Sequence, residues 1–251
     1  MARTVGTDDR WLRRYQRADP GAPTLVCLPH AGGSATFFFP VARALAPRCE
    51  VVAVQYPGRQ DRFGEPLPGS LDELVEQVFP VLRRAVGGPV AFFGHSMGAS
   101  VAFELARRFE RAGTVPVALF VSGRPAPSRH RTGGTVHLAT DDELIAHLRS
   151  LSGTGVGASG HEELLRLALP AVRSDYRAAE TYRYRPGPGL SCPVQVFTGD
   201  RDDMVTDAEA RAWGDHTSGA FGHLRLPGGH FALVEHQAEV LAAVAGRLTA
   251  P

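Results

Sequence analysis

Phe92-Phe93-Gly94-His95-Ser96-Met97-Gly98-Ala99 reads as the end of a buried strand, a sharp turn carrying a serine, and the start of a helix. Small residues at Gly94 and Gly98 suit that reading, because a strand that reverses directly into a helix brings its arms too close for side chains. The turn residue is then strained, and Ser96 is thrust out to where a substrate can reach it. The helix that follows, placed at about Met97 to Arg111 by apolar spacing, aims its unpaired N–H groups and positive dipole end at the place where a negative oxygen would develop. In a chain with 28 glycines the same five-residue pattern also arises as plain turn punctuation, so the rest of the chain must supply partners for the serine.

Short, continuous apolar runs flank this turn. Thr24 to Leu28, Glu50 to Gln55, Pro89 to Phe93, Val117 to Ser122 and Pro193 to Thr198 read as strands covered on both faces, and His223 to Leu226 as a weaker one. Between them lie helical patterns at about Phe37 to Ala46, Leu71 to Val86 and Met97 to Arg111, and Glu235 to Leu248 closes the chain. This alternation predicts an α/β fold with a mostly parallel central sheet and helices on both faces. Capping-box patterns mark helix starts at Ser70-x-x-Glu73, Thr140-x-x-Glu143, Ser159-x-x-Glu162 and Thr206-x-x-Glu209. Pro80 falls inside a helical pattern and is expected to bend or break it.

The alternation lapses from about residue 125 to 188. Two helical patterns, Asp141 to Leu151 and Glu162 to Tyr182, are separated there by the glycine-rich stretch from Ser152 to Gly160, and no strand is evident. We expect a helical lid inserted between two strands, with the glycine-rich stretch as hinge and Leu144, Leu148, Leu164, Leu165, Leu167 and Leu169 facing a channel over the serine. The alternative is a helical decoration packed permanently on the core. The whole of 1–251 is read as one domain carrying this insertion.

Composition narrows the function. Acidic and basic residues nearly balance, 26 against 27, so the surface offers no general pull on nucleic acid or anionic membrane. Every basic residue is arginine. The absence of lysine excludes lysine Schiff bases, lysine-bound pyridoxal phosphate and lysine-dependent phosphate loops. Cys27, Cys49 and Cys192 are odd in number and widely spaced, as expected of reduced thiols in a cytoplasmic protein. No apolar run reaches signal-peptide or membrane-spanning length. No metal-ligand cluster is evident, and no metal or cofactor is expected.

A serine hydroxyl needs a base within hydrogen-bond reach and a third group to fix that base in the right tautomer. Gly199-Asp200-Arg201-Asp202-Asp203 follows one late strand, and Pro227-Gly228-Gly229-His230-Phe231 follows the next. Both lie at strand C-terminal ends, where open α/β sheets bind ligands. The order Ser96, Asp, His230 is the hydrolase order. The acid is read as Asp202, with Asp200 kept open. The oxyanion hole is assigned to the N–H groups of Met97 and of Ala31, the latter in the glycine-bearing loop from Pro29 to Ser34. Phe37, Phe38, Phe39, Leu144 and Leu148 are the expected substrate-pocket residues.

With these residues in hand, the chain resembles the type II thioesterases that accompany polyketide synthases and nonribosomal peptide synthetases. The resemblance covers nearly the whole length. It is most specific at Leu28-Pro29-His30-Ala31-Gly32-Gly33-Ser34-Ala35, at Tyr56-Pro57-Gly58-Arg59-Gln60-Asp61-Arg62, at Gly94 to Ala99 and at Leu226 to Phe231. It implies an α/β-hydrolase fold and places the family's acid at Asp202. It further implies hydrolysis of acyl groups held on the phosphopantetheine arm of acyl or peptidyl carrier protein domains, with no cofactor on the enzyme itself; a monomer is expected. Arg59, Arg62, Arg124 and Arg129 are candidate contacts for such acidic partners. The triad alone equally serves a general carboxylesterase, or an acyltransferase that delivers the acyl group to an alcohol or amine.

Overall fold

A computed structural model describes residues 10–129, 131, 133–151 and 162–248. The strands are β1 (Leu12–Arg14), β2 (Thr24–Leu28), β3 (Glu50–Val54), β4 (Val90–His95), β5 (Leu119–Ser122), β6 (Val194–Gly199) and β7 (Phe221–Leu226). They form one seven-stranded sheet in the order β1-β3-β2-β4-β5-β6-β7. Only β1 runs antiparallel, pairing Leu12 to Arg14 with β3 at the edge. Its three residues are too short a run to show a period in the sequence. The last strand is longer than expected, pairing from Phe221 to Leu226 along the whole of β6.

Alternation along these strands feeds two separate cores. Val26, Leu28, Phe92, Leu119, Val121, Val194 and Val196 face one side, under α2 (Leu71–Ala85) and α3 (Met97–Arg111). Leu25, Cys27, Phe93, Phe120 and Phe197 face the other, under α1 (Phe39–Leu45) and α8 (Gln237–Leu248). The expected helix from Phe37 is instead a 3-10 turn over Ala35–Phe38 followed by α1. The closing helical pattern from Glu235 is α8, which starts at Gln237 and is preceded by a separate short helix, α7 (Ala232–Glu235). Pro80 does not break α2, which runs through it. Both Pro80 and Glu76, four residues earlier, are exposed, so the carbonyl that loses its N–H partner faces water. The side chains of Ser70, Thr140 and Thr206 each accept a hydrogen bond from the N–H three residues on, the last at the start of α6 (Asp207–Arg211).

Between β5 and β6 lie α4 (Asp141–Leu151) and α5 (Glu162–Thr181). Their facing sides make a third apolar cluster around Leu144, Ile145, Leu169, Val172 and Tyr176. Farther along α5, Ala178 and Ala179 join the core of the α2/α3 face. One helix thus roofs the sheet at its start and is bolted to it at its end. The expected hinge from Ser152 to Gly160, with the cap at Ser159, lies outside the described residues. No helix among the described residues is long and apolar enough to cross a membrane.

Candidate active site

The strand order reverses between β2 and β4, the place where an open parallel sheet leaves a crevice at its C-terminal edge. Ser96 follows β4 there, and Ala31 follows β2. Ser96 has φ 54° and ψ −119°, a backbone conformation that side-chain-bearing residues seldom adopt. The turn is fixed by its neighbours: Ser96 N–H donates to Ser122 O at 2.8 Å, and Ala99 N–H donates back to Ser96 O at 3.0 Å. A Cβ on Gly94 would stand 2.1 Å from Gly98 O, and one on Gly98 2.0 Å from Leu28 O. The two glycines therefore let α3 begin directly against the ends of β4 and β2.

His230, on the loop after β7, is buried, and its Nδ1 lies 3.0 Å from Oδ2 and 3.2 Å from Oδ1 of Asp202. Asp202 has a fully buried side chain whose Oδ1 also accepts from Met204 N–H at 2.8 Å. A carboxylate can only accept, so Nδ1 carries a proton, and in the neutral tautomer the basic nitrogen is Nε2. Asp200, the alternative acid, is nearly half exposed and accepts from Gly228 N–H at 2.8 Å. It shapes the histidine loop rather than touching the ring.

Ser96 and His230 line one cavity of about 230 Å³ together with His30, Ala31 and Gly32. Its apolar wall comes from Leu148 and Leu151 of α4, Leu165, Ala168, Val172 and Tyr176 of α5, and Phe231. Of the expected pocket residues, only Leu148 is among these. Leu144 is wholly buried in the α4/α5 cluster, against which Leu148, one turn on and on the same face, is only partly buried. Phe38 is buried under α1, Phe39 is 43% exposed, and Phe37 and Phe38 border a separate apolar cavity against α7 and α8. Their consecutive positions on a tight turn send the rings in different directions. Leu165 does line the serine cavity, Leu169 is buried beside Leu144, and Leu167 points to solvent; the Leu164 side chain lies outside the described residues.

Two further histidines flank His230. The His95 ring is 4.8 Å from that of His230, and His30 is 5.5 Å from His95, with Phe37 and Phe231 packed against both. Burial, then the neighbouring imidazoles, holds His95 well below the ordinary histidine range. Burial, then His230 and Arg59, brings His30 down to about 4. Both rings are therefore neutral near pH 7 and add no positive charge beside His230. Gly123, with φ +61°, closes the far side; a Cβ there would lie 2.9 Å from Cε1 of both His230 and His95.

The arginines expected at an acidic partner are mostly spoken for. Arg59 is buried, forms an ion pair with Asp175, and donates to Pro57 O at 2.6 Å. Arg62 is buried against Glu65, with its guanidinium 3.9 Å from the Trp11 ring centroid. Arg124 donates to Ser100 Oγ and Ala179 O. Arg129 alone of the four is exposed. Charge read from sequence does not reveal burial, and nothing in the spacing links Arg59 to Asp175, 116 positions away by subtraction of their numbers.

A family profile described as "Thioesterase domain" matches residues 23–248. The chain belongs to the thioesterase family. Among solved structures, this thioesterase is similar to the type II thioesterase BorB from the borrelidin biosynthetic cluster, at 63% identity and a TM-score of 0.92, over 96% of this chain and 98% of that one. It is 50% identical over 234 residues to a probable cadicidin biosynthesis thioesterase of Streptomyces griseus, covering 92% of this chain but 63% of that protein's length. To thioesterase PikA5 of Streptomyces venezuelae it is 49% identical over 232 residues, covering 92% of this chain and 82% of that one. The fold is accordingly that of the α/β-hydrolase thioesterases, and the enzyme is a hydrolase of thioesters.

Proposed function

We propose that this thioesterase removes stalled or aberrant acyl groups from the phosphopantetheine arms of acyl or peptidyl carrier domains in a polyketide or nonribosomal peptide pathway. Ser96 is the nucleophile, His230 the base and Asp202 the group that orients it; the N–H groups of Met97 and Ala31 receive the oxyanion. The observation that carries this reading is the shared cavity of Ser96 and His230, with His230 Nδ1 held 3.0 Å from buried Asp202. Similarity to one thioesterase of cadicidin biosynthesis and one of the borrelidin biosynthetic cluster supports a carrier-bound acyl group as the substrate.

In the reaction, Ser96 Oγ adds to the thioester carbonyl while His230 Nε2 takes its proton. The tetrahedral oxyanion meets the start of α3, where unpaired N–H groups and the helix dipole favour negative charge. Among the described residues Ala31 N–H has no protein acceptor, which leaves it available to the same oxygen. Collapse expels the pantetheine thiol, whose pKa of roughly 8.5 makes it a good leaving group with little acid assistance. The departing sulfur carries off the proton from His230 Nε2; the neutral ring then deprotonates a water that adds to the acyl-serine carbonyl, and collapse returns the proton to Ser96 Oγ as the acid leaves. The mainly apolar wall over Ser96 suits an acyl chain better than a charged group. The enzyme is proposed to act in the cytoplasm as a monomer with carrier domains, with no nucleic acid, membrane or cofactor involved.

Rapid mixing with a slowly hydrolysed acyl-pantetheine tests the covalent step. The expected intact mass is enzyme plus acyl group, located on the Ser96 peptide and absent from Ser96→Ala. An adduct on another residue, or turnover by the alanine variant, overturns the assignment.

A further inference from the structure

The loop that carries Ala31 is short of internal support: its only turn bond is Gly33 N–H to His30 O at 2.9 Å among the described residues. It is held instead from two distant places. From the β3 side, Tyr56 Oη donates to Pro29 O at 3.4 Å, Arg59 Nε donates to Gly33 O at 3.3 Å, and Gln55 Oε1 accepts from Ala35 N–H at 2.8 Å. From α5, Asp175 Oδ2 accepts from Gly32 N–H at 2.8 Å. Arg59 and Asp175 meet in a buried ion pair, so the two supports are one structure. The contacts on Pro29 O and Gly32 N–H bracket the His30–Ala31 peptide, which carries the Ala31 N–H, and the contact on Gly33 O holds the next turn of the loop. Asp175 also sits next to Tyr176 and one turn from Val172, both on the cavity wall.

We propose that Arg59 and Asp175 are positioning residues that aim the Ala31 N–H into the oxyanion hole and tie its aim to the seat of helix α5. This rests on the reading of Ala31 as an oxyanion donor. A glycine loop left to itself samples many peptide orientations. A donor to an oxyanion works only when held within about half an ångström of its place. Asp175 gives Gly32 N–H a charge-assisted bond, stronger than a neutral one, and Arg59 keeps that carboxylate charged and stationary. Because α5 supplies both the anchor and the acyl-facing wall, the pocket and the oxyanion donor form one mechanical unit.

The test compares wild type with Ser96→Ala, Asp175→Asn and Asp175→Ala on one acyl-pantetheine substrate. Two inhibitors are added: a trifluoromethyl ketone, to which Ser96 Oγ adds to leave an anionic oxygen in the hole, and the matching thioether, which has no carbonyl. Asp175→Ala is expected to lose about 10- to 100-fold in kcat with KM within about threefold. Asp175→Asn, which can still accept from Gly32 N–H, is expected to recover part of that loss. Trifluoromethyl ketone affinity should fall in step with kcat while thioether affinity holds. Should Asp175→Ala not fold, the double variant Arg59→Met with Asp175→Asn leaves no buried charge, and the same split is expected of it. The proposal is overturned if folded variants keep wild-type kcat and ketone affinity, or if both inhibitors weaken equally. Activity surviving in Ser96→Ala would instead overturn the underlying reading of the site.

Discussion

The elbow at Ser96 and the loop at Ala31 line the same cavity, yet they are built in opposite ways. The elbow is made largely by its own sequence: a buried strand, a serine at positive φ and two glycines whose missing Cβ atoms let β4, α3 and β2 touch. The Ser96 N–H bond to Ser122 O adds a distant support. The loop from Pro29 to Ala35 borrows its shape from Tyr56, Arg59 and Asp175. On the proposed roles, a nucleophile specified locally is expected to tolerate change elsewhere in the chain, whereas a donor specified from afar is expected to respond to the helix that roofs the pocket.

The acid loop tests where a third element falls between these extremes. Asp202→Asn leaves the shape intact but supplies an amide N–H where His230 needs an acceptor, and kcat is expected to fall about ten-thousand-fold in stopped assays at unchanged melting temperature. Asp200→Asn is expected to keep kcat within a few-fold and to cost about 1 kcal/mol of stability through its bond to Gly228 N–H. A reversed pattern would move the triad acid to Asp200.

The elbow itself breaks at Gly98. A methyl there meets the Leu28 carbonyl at 2.0 Å, so the start of α3 must shift. Gly98→Ala is expected to lose about 100-fold or more in kcat and to lower the melting temperature, measured together on the same preparation. Near-normal turnover would show that the elbow has slack.

The Ala31 loop sharpens the comparison through acidity. His30 has its proton affinity lowered to about 4, chiefly by burial and then by His230 and Arg59. The unfolded chain takes up that proton near pH 6.5. Unfolding therefore binds protons between pH 6.5 and 4, and this contribution to stability is lost as the pH falls through that window. Denaturant titrations at pH 7 and pH 5 should show a drop to which His30 contributes about 2 kcal/mol. His95 and the other buried histidines add to the wild-type drop, so the informative quantity is the smaller drop expected of His30→Gln. An unchanged drop in that variant would mean that His30 does not feel its burial.

The smallest effect concerns the pocket wall. Leu148→Ala is expected to move the acyl-length preference toward longer chains by a few-fold in kcat/KM, and Phe39→Ala to leave the profile as it was. A shift with Phe39→Ala would return the phenylalanine run to the pocket.

Legibility in the sequence follows the same divide. Strand runs, the cap at Thr206, the elbow and the two late loops are short-range patterns, and the sheet, Ser96 and His230 can be placed from them. The split between Asp202 and Asp200 turns on which carboxylate reaches across to another loop. Three consecutive phenylalanines carry no record of which ring turns toward which cavity. A helix period tells that α4 and α5 have apolar faces but not that Leu144 is buried wholly in their cluster while Leu148, one turn on, also reaches the cavity beside Ser96. The Arg59–Asp175 pair and the stack of His30 and His95 beside His230 exist only once distant segments are folded together.

The most direct test of the central claim is single-turnover hydrolysis of acetyl-, propionyl- and longer acyl-phosphopantetheinyl carrier protein, run beside the matching free pantetheine thioesters and p-nitrophenyl esters, with wild type and Ser96→Ala. The account predicts that carrier-bound thioesters are cleared fastest and that the alanine variant is inert on every substrate. Soluble oxygen esters cleared faster than carrier-bound thioesters by the wild-type enzyme would contradict it.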